Sequence, residues 1–282
     1  MSDFEYLLYE KIEGNIARIW LNRPETKNAQ DTKMLYELND AYDLAIADED
    51  VKVIILAAKG SDFSAGHDLR EQNVRQAMRD KKTVGTWSDR ADWEGAEAYY
   101  GREKEIYEGF CRRWRDLSKP TIASVQGKVI AGGLMLMWPC DLVISSDDAT
   151  FQDNTLFFGI PGLEYFAHPW ELGIRKAKEF LLTGLPLSAA EAQSSGMVNR
   201  VVPRDLLEEK TLELARQVAN KPSFALKLAK DSVNALFSAQ GFDNVQRGAF
   251  NAHHLAHTHY RLTQDSLMDV STISHIVKKL KF

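Results

Sequence analysis

The chain has 282 residues, of which 44% are hydrophobic and 27% are charged, and its net charge is -5. A chain of this length can fold around one substantial α/β core with an appended helical segment. The composition is that of an ordinary globular protein and offers no apolar run long enough to span a bilayer. The negative charge argues against nucleic acid as a partner.

Secretion and cysteine chemistry are also not predicted. The N-terminal residues lack a basic start followed by an apolar stretch, so we expect no secretory signal and a cytoplasmic protein. Cys111 and Cys140 lie outside any Cys-x-x-Cys spacing. Neither a disulfide framework nor a cysteine zinc site is therefore predicted.

The start of the chain predicts two strands, a helix and a third strand. β-prone runs at 6–12 and 16–21 flank Glu13-Gly14-Asn15, which is typical of a hairpin turn. Apolar residues at helical spacing predict a helix over 31–47. The β-branched run at 53–57 predicts a buried strand.

Residues 70–117 are polar, charged and aromatic, and glycines interrupt stretches that are otherwise compatible with helix. One interpretation is a solvated pair of helices, and the other is a mobile cover that walls a pocket. We favour the first, because single exposed aromatic residues are common and need no explanation. The aromatic residues that favour the second are Trp87, Trp93, Tyr99, Tyr100 and Tyr107.

From residue 121 onward the pattern predicts further strands and a series of helices. Strands are predicted at 121–125 and 142–146, and an amphipathic helix at 170–182. Ser188 and Glu191 have the spacing of a capping box at the start of the next helix. A strand is predicted at 197–202, followed by helices at 205–219, 223–237 and 242–263.

Two consecutive glycines, Gly132 and Gly133, lie at a predicted strand-to-helix junction. Such glycines let backbone N–H groups approach a ligand, and a helix N-terminus favours negative charge there. Residues 63–69 form a second junction that contains an Ala-Gly pair. If the two converge, each gives one N–H to the same oxygen, which suits a thioester carbonyl that becomes an enolate or a tetrahedral anion.

The chain resembles the crotonase family, the enoyl-CoA hydratase/isomerase superfamily, in several segments that follow the family order over residues 6–270. Each segment alone is weakly specific, and together they are highly specific. The segments are Asn22-Arg23-Pro24-Glu-Thr-Lys-Asn28-Ala29, residues 63–69, residues 125–141, Ile160-Pro161-Gly162, and the pattern Leu182-Thr183-Gly184 to Pro203.

This resemblance implies an α/β fold, a crotonase-like spiral of ββα units with a helical C-terminal region. Residues 1–205 would form the spiral core, and residues 206–282 a helical region that drives assembly into a homotrimer or homohexamer. The substrate would be an acyl-CoA thioester, with no separate cofactor, no metal, no nucleic acid and no membrane as partners.

The resemblance also implies site residues. The oxyanion-hole amides fall on His67 and Gly132, and coenzyme A runs past residues 23–27 with its adenine against the backbone of 65–69. Arg23 and Lys27 then contact phosphate, with ordinary solvated charges as an equally open alternative. The implied substrate-binding residues are Arg23, Lys27, Ala65, His67, Asp68, Leu69, Gly132, Gly133, Met135 and Thr155.

The chain departs from the family where hydratases carry two glutamates. The first of these positions is Met135, and the second falls on Asn154 or Thr155, depending on the register. Water addition usually needs two carboxylates, one for the water and one for the α-carbon. Glu164, after the Pro-Gly turn, is our candidate for a relocated acid, although a surface or helix N-terminal glutamate is the alternative.

Two other groups have weaker claims to the chemistry. Asp153 is a second candidate acid, and the His67 imidazole could face the acyl group, solvent or adenosine. The histidines at 253–259 invite a metal interpretation, because His253 and His257 lie one helical turn apart. No His-Glu-x-x-His motif accompanies them, so a packing or intersubunit role is favoured.

The leading hypothesis is therefore an enoyl-CoA hydratase or isomerase that stabilises a thioester enolate, with His67, Gly132 and Glu164 as catalytic residues. Hydrolysis of a thioester or of a carbon–carbon bond on the same fold is a second hypothesis. A non-catalytic acyl-CoA binder, or an inactive partner in a mixed oligomer, is a third.

Overall fold

A computed structural model describes residues 4–71, 74–79, 81–85, 87 and 94–269. Trp93, one of the aromatic residues noted above, lies outside these ranges. Within them, no helix is both long and apolar enough to cross a membrane. The strands are β1 (Leu7–Ile12), β2 (Ile16–Leu21), β3 (Val53–Ala58), β4 (Thr121–Val125), β5 (Lys128–Ile130), β6 (Leu142–Ser146), β7 (Thr150–Gln152), β8 (Leu187–Ser188) and β9 (Arg200–Val202).

The strands form two sheets. The larger has six strands in the order β1-β2-β3-β4-β6-β9, and the smaller has three in the order β5-β7-β8. The β1–β2 hairpin is antiparallel, and its register pairs Ile12 with Ile16. All other neighbours in the larger sheet are parallel. Parallel order brings the carboxyl ends of successive strands to one edge, where ligand-binding turns commonly lie.

Helices connect and cover these strands, and they dominate the C-terminal part of the described chain. A π-helical segment, Lys104–Gly109, joins two of them. The helices are α1 (Thr32–Ala47), α2 (Val74–Arg79), α3 (Gly95–Glu103), α4 (Phe110–Arg115), α5 (Gly132–Met137), α6 (His168–Leu172), α7 (Ile174–Thr183), α8 (Ala189–Ser195), α9 (Leu207–Ala219), α10 (Ser223–Ala239) and α11 (Phe242–Gln264).

The central strands β3 and β4 of the larger sheet are buried on both faces. Alternate residues of β3 show this, because Ile54 and Leu56 join the main core while Val53 and Ile55 face the other way. The second face is covered by α9 through Leu214 and its neighbours. A strand buried on both sides is hydrophobic throughout, which explains the uniform apolar pattern of β3. Helix α9, which the sequence assigned to the C-terminal helical region, thus packs directly on the sheet.

The structure corrects one predicted helix and one interpretation. The helix expected at 170–182 is two helices, because Gly173 adopts φ 72° between α6 and α7. The segment at 70–117 is not a solvated helix pair where it is described, since Glu105, Ile106 and Phe110 are buried. The predicted fold class, α/β with a helical C-terminal region, is confirmed.

Candidate active site

The two glycine-containing turns meet in the structure. Isolated parallel bridges pair Ser64 with Val129 and Gln30 with His67. Gly66 has φ +92°, and a Cβ added there would lie 2.7 Å from the Ile130 carbonyl oxygen and 3.2 Å from the Gly132 nitrogen. This contact leaves no room for a side chain at position 66. The two junctions that the sequence predicted to converge therefore do so.

The amide nitrogens of His67 and Gly132 donate to no backbone carbonyl among the described residues. Buried backbone donors are nearly always paired, so two open donors on touching turns indicate a place for a ligand oxygen. Ala131, directly before Gly132, has φ 45° and ψ -112°. A non-glycine residue in this region stores of the order of 1–3 kcal/mol of strain, and such residues cluster at functional sites.

The imidazole of His67 lies against the Gly132 turn. A Cβ added to Gly132 would lie 2.7 Å from His67 Cε1 and 2.8 Å from its Nδ1. The ring stacks on Tyr107, with centroids 4.0 Å apart. Its Nε2 lies 3.4 Å from both carboxylate oxygens of Glu164. His67 Nδ1 is buried and has no hydrogen-bond partner among the described residues.

Glu164 is a buried carboxylate, with 4% exposure. Its backbone carbonyl accepts a hydrogen bond from Gln246 of α11, which fixes the turn after Pro161-Gly162. Burial alone raises the pKa of Glu164, but the nearby His67 and His253 imidazoles outweigh it and hold that pKa well below the ordinary value. The burial of Glu164 excludes the alternative of a surface glutamate.

Behind Glu164 lies a group of four buried residues that we name the histidine cluster, Glu103, His253, His254 and His257. The Nε2 atoms of His253 and His257 are 2.9 Å apart. Glu103 Oε2 lies 3.7 Å from each of them and 3.2 Å from His254 Nε2. His259, on the other side of α11, is exposed. The cluster touches the candidate site through His253, whose Nε2 is 3.6 Å from Glu164 Oε1.

The structure distinguishes between the two cations expected to contact phosphate. Arg23 is buried, it donates to the Ala29 carbonyl at 2.6 Å, and it pairs with Asp31 and Asp68 at 3.2 Å each. Its guanidinium is therefore enclosed by protein groups and not solvated. Lys27 is exposed and has φ 55°, and its carbonyl accepts the Ala65 amide at 2.9 Å.

The other residues implied by the resemblance differ in exposure and in their contacts. Leu69 is 72% exposed, and a Cβ on Gly133 would lie 2.7 Å from the Ser64 carbonyl oxygen. Met135 is 1% exposed and packs in the main core. Thr155 donates to Asp153 Oδ1 at 2.6 Å.

Asp153, the weaker acid candidate, is engaged elsewhere. Its Oδ2 pairs with His168 Nε2 at 2.8 Å, and both side chains are fully buried. Its other oxygen accepts hydrogen bonds from Thr155. Both carboxylate oxygens of Asp153 thus have partners other than His67.

Sequence reasoning missed Glu103 as a site residue, and it named Tyr107 only within the pocket-cover interpretation that it did not favour. Both belong to the stretch in which α3 passes into the π-helical segment, where the 3.6-residue period that marks one face of a helix breaks down. The histidines of α11 carried a visible signal, their spacing of four residues, but the partner carboxylate comes from a distant segment. The packing role that the sequence favoured for these histidines therefore did not include Glu103, which the fold brings next to them.

The chain matches a known enzyme family over most of its length. The family model described as enoyl-CoA hydratase/isomerase matches residues 11–265. The protein EchA13 of Mycobacterium tuberculosis, which carries the name enoyl-CoA hydratase, is 42% identical to this chain. The match covers 97% of this chain and 87% of EchA13.

Two solved structures are similar to this chain over almost their whole lengths. A probable enoyl-CoA hydratase from Mycobacterium smegmatis has a TM-score of 0.84 and 44% identity, over 94% of this chain and 99% of that one. An enoyl-CoA hydratase/isomerase from Xanthobacter autotrophicus Py2 has a TM-score of 0.80 and 31% identity, over 99% of this chain and 94% of that one.

Proposed function

Since this chain belongs to the enoyl-CoA hydratase/isomerase family, we propose that the two open amides and the His67–Glu164 pair form the reaction centre of an acyl-CoA enzyme. The chain is an enzyme of the hydratase/isomerase type that processes acyl-CoA. The proposal concerns how it does so without the two usual glutamates. The observation that carries it is the contact of His67 with both Glu164 and the Gly132 turn.

The first element of the proposal is an oxyanion hole. The N–H groups of His67 and Gly132 donate to the thioester oxygen as negative charge develops on it during enolate formation. Fixed donors away from bulk water are worth more than donors in water, and one such donor contributes about 2.7–4 kcal/mol to the barrier. The strained Ala131 supports this role, because its backbone conformation orients the Gly132 amide.

The second element is proton transfer by a relocated pair. Glu164 holds the His67 ring through Nε2, and the buried Nδ1 beside Gly132 carries the proton to or from the acyl group. In hydration, the α,β double bond opens: His67 takes one proton from water, the resulting hydroxyl oxygen bonds to the β-carbon, and the proton passes from His67 to the α-carbon. In isomerisation, one proton leaves a carbon of the acyl group and returns at another carbon, so His67 alone suffices as the proton carrier.

Coenzyme A binding forms the third element. We place the adenosine portion along the backbone of residues 65–69, beside Asp68 and the exposed Leu69, with Gly133, Met135 and Thr155 toward the acyl side. Lys27, which is exposed, is the candidate for phosphate contact. Arg23 acts instead by holding Asp31 and Asp68 in place.

A substrate panel with one variant tests the proposal. Purified protein is assayed with 2-enoyl-, 3-enoyl- and β-ketoacyl-CoA of several chain lengths. His67→Gln keeps the backbone amide and removes the proton carrier, so kcat should fall about 10²- to 10⁴-fold while acyl-CoA affinity persists. His259→Gln, which changes an exposed histidine, is the control. Turnover that His67→Gln leaves unchanged would refute the assignment, and no turnover of any thioester by the wild type would favour a binding protein.

Hydrolysis is a second candidate, favoured by the same pair. A histidine oriented by a carboxylate next to an oxyanion hole can also activate water for attack on a carbonyl. The tetrahedral anion would then occupy the two amides. Release of free coenzyme A, detected with a thiol reagent, would indicate thioester hydrolysis, and its absence during turnover would leave hydration or isomerisation.

We also propose that the C-terminal helices assemble the enzyme into a homotrimer or homohexamer, with residues 1–205 as the catalytic core and residues 206–282 as the assembly region. Large apolar side chains on α10 and α11 are exposed, and exposed apolar patches mark interfaces. They are Phe224, Leu228, Val233, Leu236, Leu255 and Leu262. Light scattering after size exclusion measures the oligomeric state, and a monomer would contradict this part of the proposal.

A further inference from the structure

In the histidine cluster, the hydrogen bonds of the two Nδ1 atoms leave the facing Nε2 atoms of neutral His253 and His257 without a proton between them. His253 Nδ1 lies 2.8 Å from the Gly162 carbonyl oxygen, and His257 Nδ1 contacts the Leu267 carbonyl oxygen. A carbonyl oxygen only accepts hydrogen bonds, so each ring must carry its proton on Nδ1. In the neutral rings both Nε2 atoms are therefore lone-pair donors, yet they face each other at 2.9 Å.

Two lone pairs at this distance repel each other unless a cation lies between or beside them, either a second proton on one ring or a metal ion. A third ligand atom is present, because Glu103 Oε2 lies 3.7 Å from both Nε2 atoms. This oxygen belongs to a residue with 5% exposure, and its nearest basic neighbour outside the pair is His254 Nε2 at 3.2 Å. One ligand atom from each of Glu103, His253 and His257 can be chosen so that all lie within 4.8 Å of one another.

We propose that Glu103, His253 and His257 bind one divalent transition-metal ion, with Zn²⁺ as the best match. Two imidazole nitrogens and one carboxylate oxygen are a recurrent zinc ligand set, and bonds of about 2.0–2.1 Å place neighbouring ligand atoms roughly 3.3 Å apart in a tetrahedron. The observed separations, 2.9 Å and 3.7 Å, lie on either side of that value. The same ligands also suit Fe²⁺, and metal analysis distinguishes the two ions.

The surroundings match those of metal-binding histidines. Such residues usually donate their second ring N–H to a backbone carbonyl or a carboxylate, which fixes the tautomer and aims the free nitrogen at the metal. His253 and His257 both have this arrangement. Glu164 Oε1, 3.6 Å from His253 Nε2, is near enough to serve as a fourth ligand, unless water takes that position.

The position of the site indicates what the metal does. Glu103 belongs to α3 and leads into the segment that carries Tyr107, whereas both histidines belong to α11. An ion held by all three would fix the wall of the candidate active site to the C-terminal helix. This role is a positioning one, and it does not depend on the proposed function, because metal content is measured without substrate.

The first test uses the full chain without a histidine tag. The protein is freed of metal with a chelator, reloaded with Zn²⁺, desalted and analysed by mass spectrometry of its metal content. We expect one Zn²⁺ per chain and a higher melting temperature, since an ion that binds only the folded state stabilises it. His257→Gln should lose the retained Zn²⁺ and the thermal shift, and His259→Gln on the same helix should keep both.

A second measurement keeps the proposal testable if His257→Gln does not fold. Co²⁺ added to the metal-free wild type should give the visible absorption bands of a nitrogen- and oxygen-ligated site, and Zn²⁺ should displace them. Absence of both retained Zn²⁺ and Co²⁺ bands would overturn the proposal and leave a proton shared by the two imidazoles. Metal that a folded His257→Gln still binds as tightly would place the ion elsewhere and overturn it as well.

Discussion

The two halves of the candidate site arise from different kinds of contact. The glycine turns at Gly66 and Gly132 touch because neighbouring strand ends bring them together, and each turn is defined by a few consecutive residues. The His67–Glu164 pair and the histidine cluster behind it join segments about a hundred residues apart or more. In the proposed function, the turns would supply fixed dipoles and the side chains would supply protons and charge. On that proposal, the oxyanion hole is kept while the acid and base lie at new positions.

The largest effect is expected from Glu164→Gln, which changes the side-chain half of the candidate site and leaves the glycine turns intact. The amide keeps the size of the side chain but no longer holds His67 as a carboxylate does, so we expect kcat/KM to fall about 10²- to 10⁴-fold. Steady-state kinetics with the best thioester of the panel measures the loss. Glu105→Gln is the control, because Glu105 is equally buried but binds the backbone amides of Val84 and Gly85. Equal losses in both variants would assign the effect to folding rather than to His67.

The turns are tested by Gly66→Ala. The added methyl group would meet the Ile130 carbonyl oxygen at 2.7 Å and displace the turn that carries the His67 amide. Loss of one oxyanion donor predicts a fall in kcat of about 10²- to 10³-fold. Gly196→Ala is matched to it, since Gly196 has φ +90° with no atom within 4 Å of the added Cβ.

The control separates backbone strain from the contact. Both substitutions place alanine at positive φ, which costs roughly 1–2 kcal/mol of stability. Thermal unfolding should show that cost in each variant, while only Gly66→Ala should lose turnover per folded molecule. If Gly196→Ala loses turnover equally, strain alone explains the effect and the contact of the two turns has no special role.

These two halves also differ in how far the sequence predicts them. Short patterns predict the convergence of the turns, because glycine positions are local features. Short patterns also single out Glu164 as a candidate, because it follows the local Pro161-Gly162 turn. The place of Glu103 does not follow, and Tyr107 follows only from the less favoured interpretation, since the π-helical segment changes which residues share a face. The break of the helix at 170–182 was missed for a related reason: a single glycine, Gly173, turns the chain without disturbing the apolar pattern on either side.

Burial was likewise hard to predict for charged groups. Arg23 resembles a surface cation in sequence, yet its guanidinium lies over the Tyr6 ring at 4.4 Å and between two carboxylates. Those partners come from residues 31 and 68, so the environment exists only once the turn has folded. Periodicity locates helices and strands, but it cannot say which charges will be enclosed by loops.

A smaller effect is expected at Ala131. Its φ of 45° is costly for alanine, and glycine adopts such values freely. Ala131→Gly should therefore raise the free energy of unfolding by about 1 kcal/mol, the relieved strain minus the entropy that glycine adds to the unfolded chain. Chemical denaturation measures the change. A loss of stability would mean that the methyl contacts outweigh the strain and that the turn before Gly132 is not held under tension.

The smallest effect concerns a purely local feature remote from the site, the capping box of α8. Ser188 accepts the Glu191 amide at 3.3 Å, and Glu191 accepts the Ser188 amide at 3.0 Å. Ser188→Ala should cost about 1 kcal/mol of stability without changing kcat. Ser194→Ala, on the exposed side of the same helix, should stay within about 0.5 kcal/mol.

The pH dependence of that cost has a definite sign. The hydrogen bond from the Ser188 backbone, followed by that from its side chain, lowers the pKa of Glu191 in the folded state. Stability from a lowered carboxyl pKa is fully present above the unfolded value and is lost as the pH falls through the folded one. The gap between wild type and Ser188→Ala should therefore narrow in acid, by an amount that solvent keeps small. If the stability difference between wild type and Ser188→Ala does not change with pH, the ionised Glu191 carboxylate does not contribute to it. The serine hydroxyl would then cap this helix through its bond to the Glu191 amide alone.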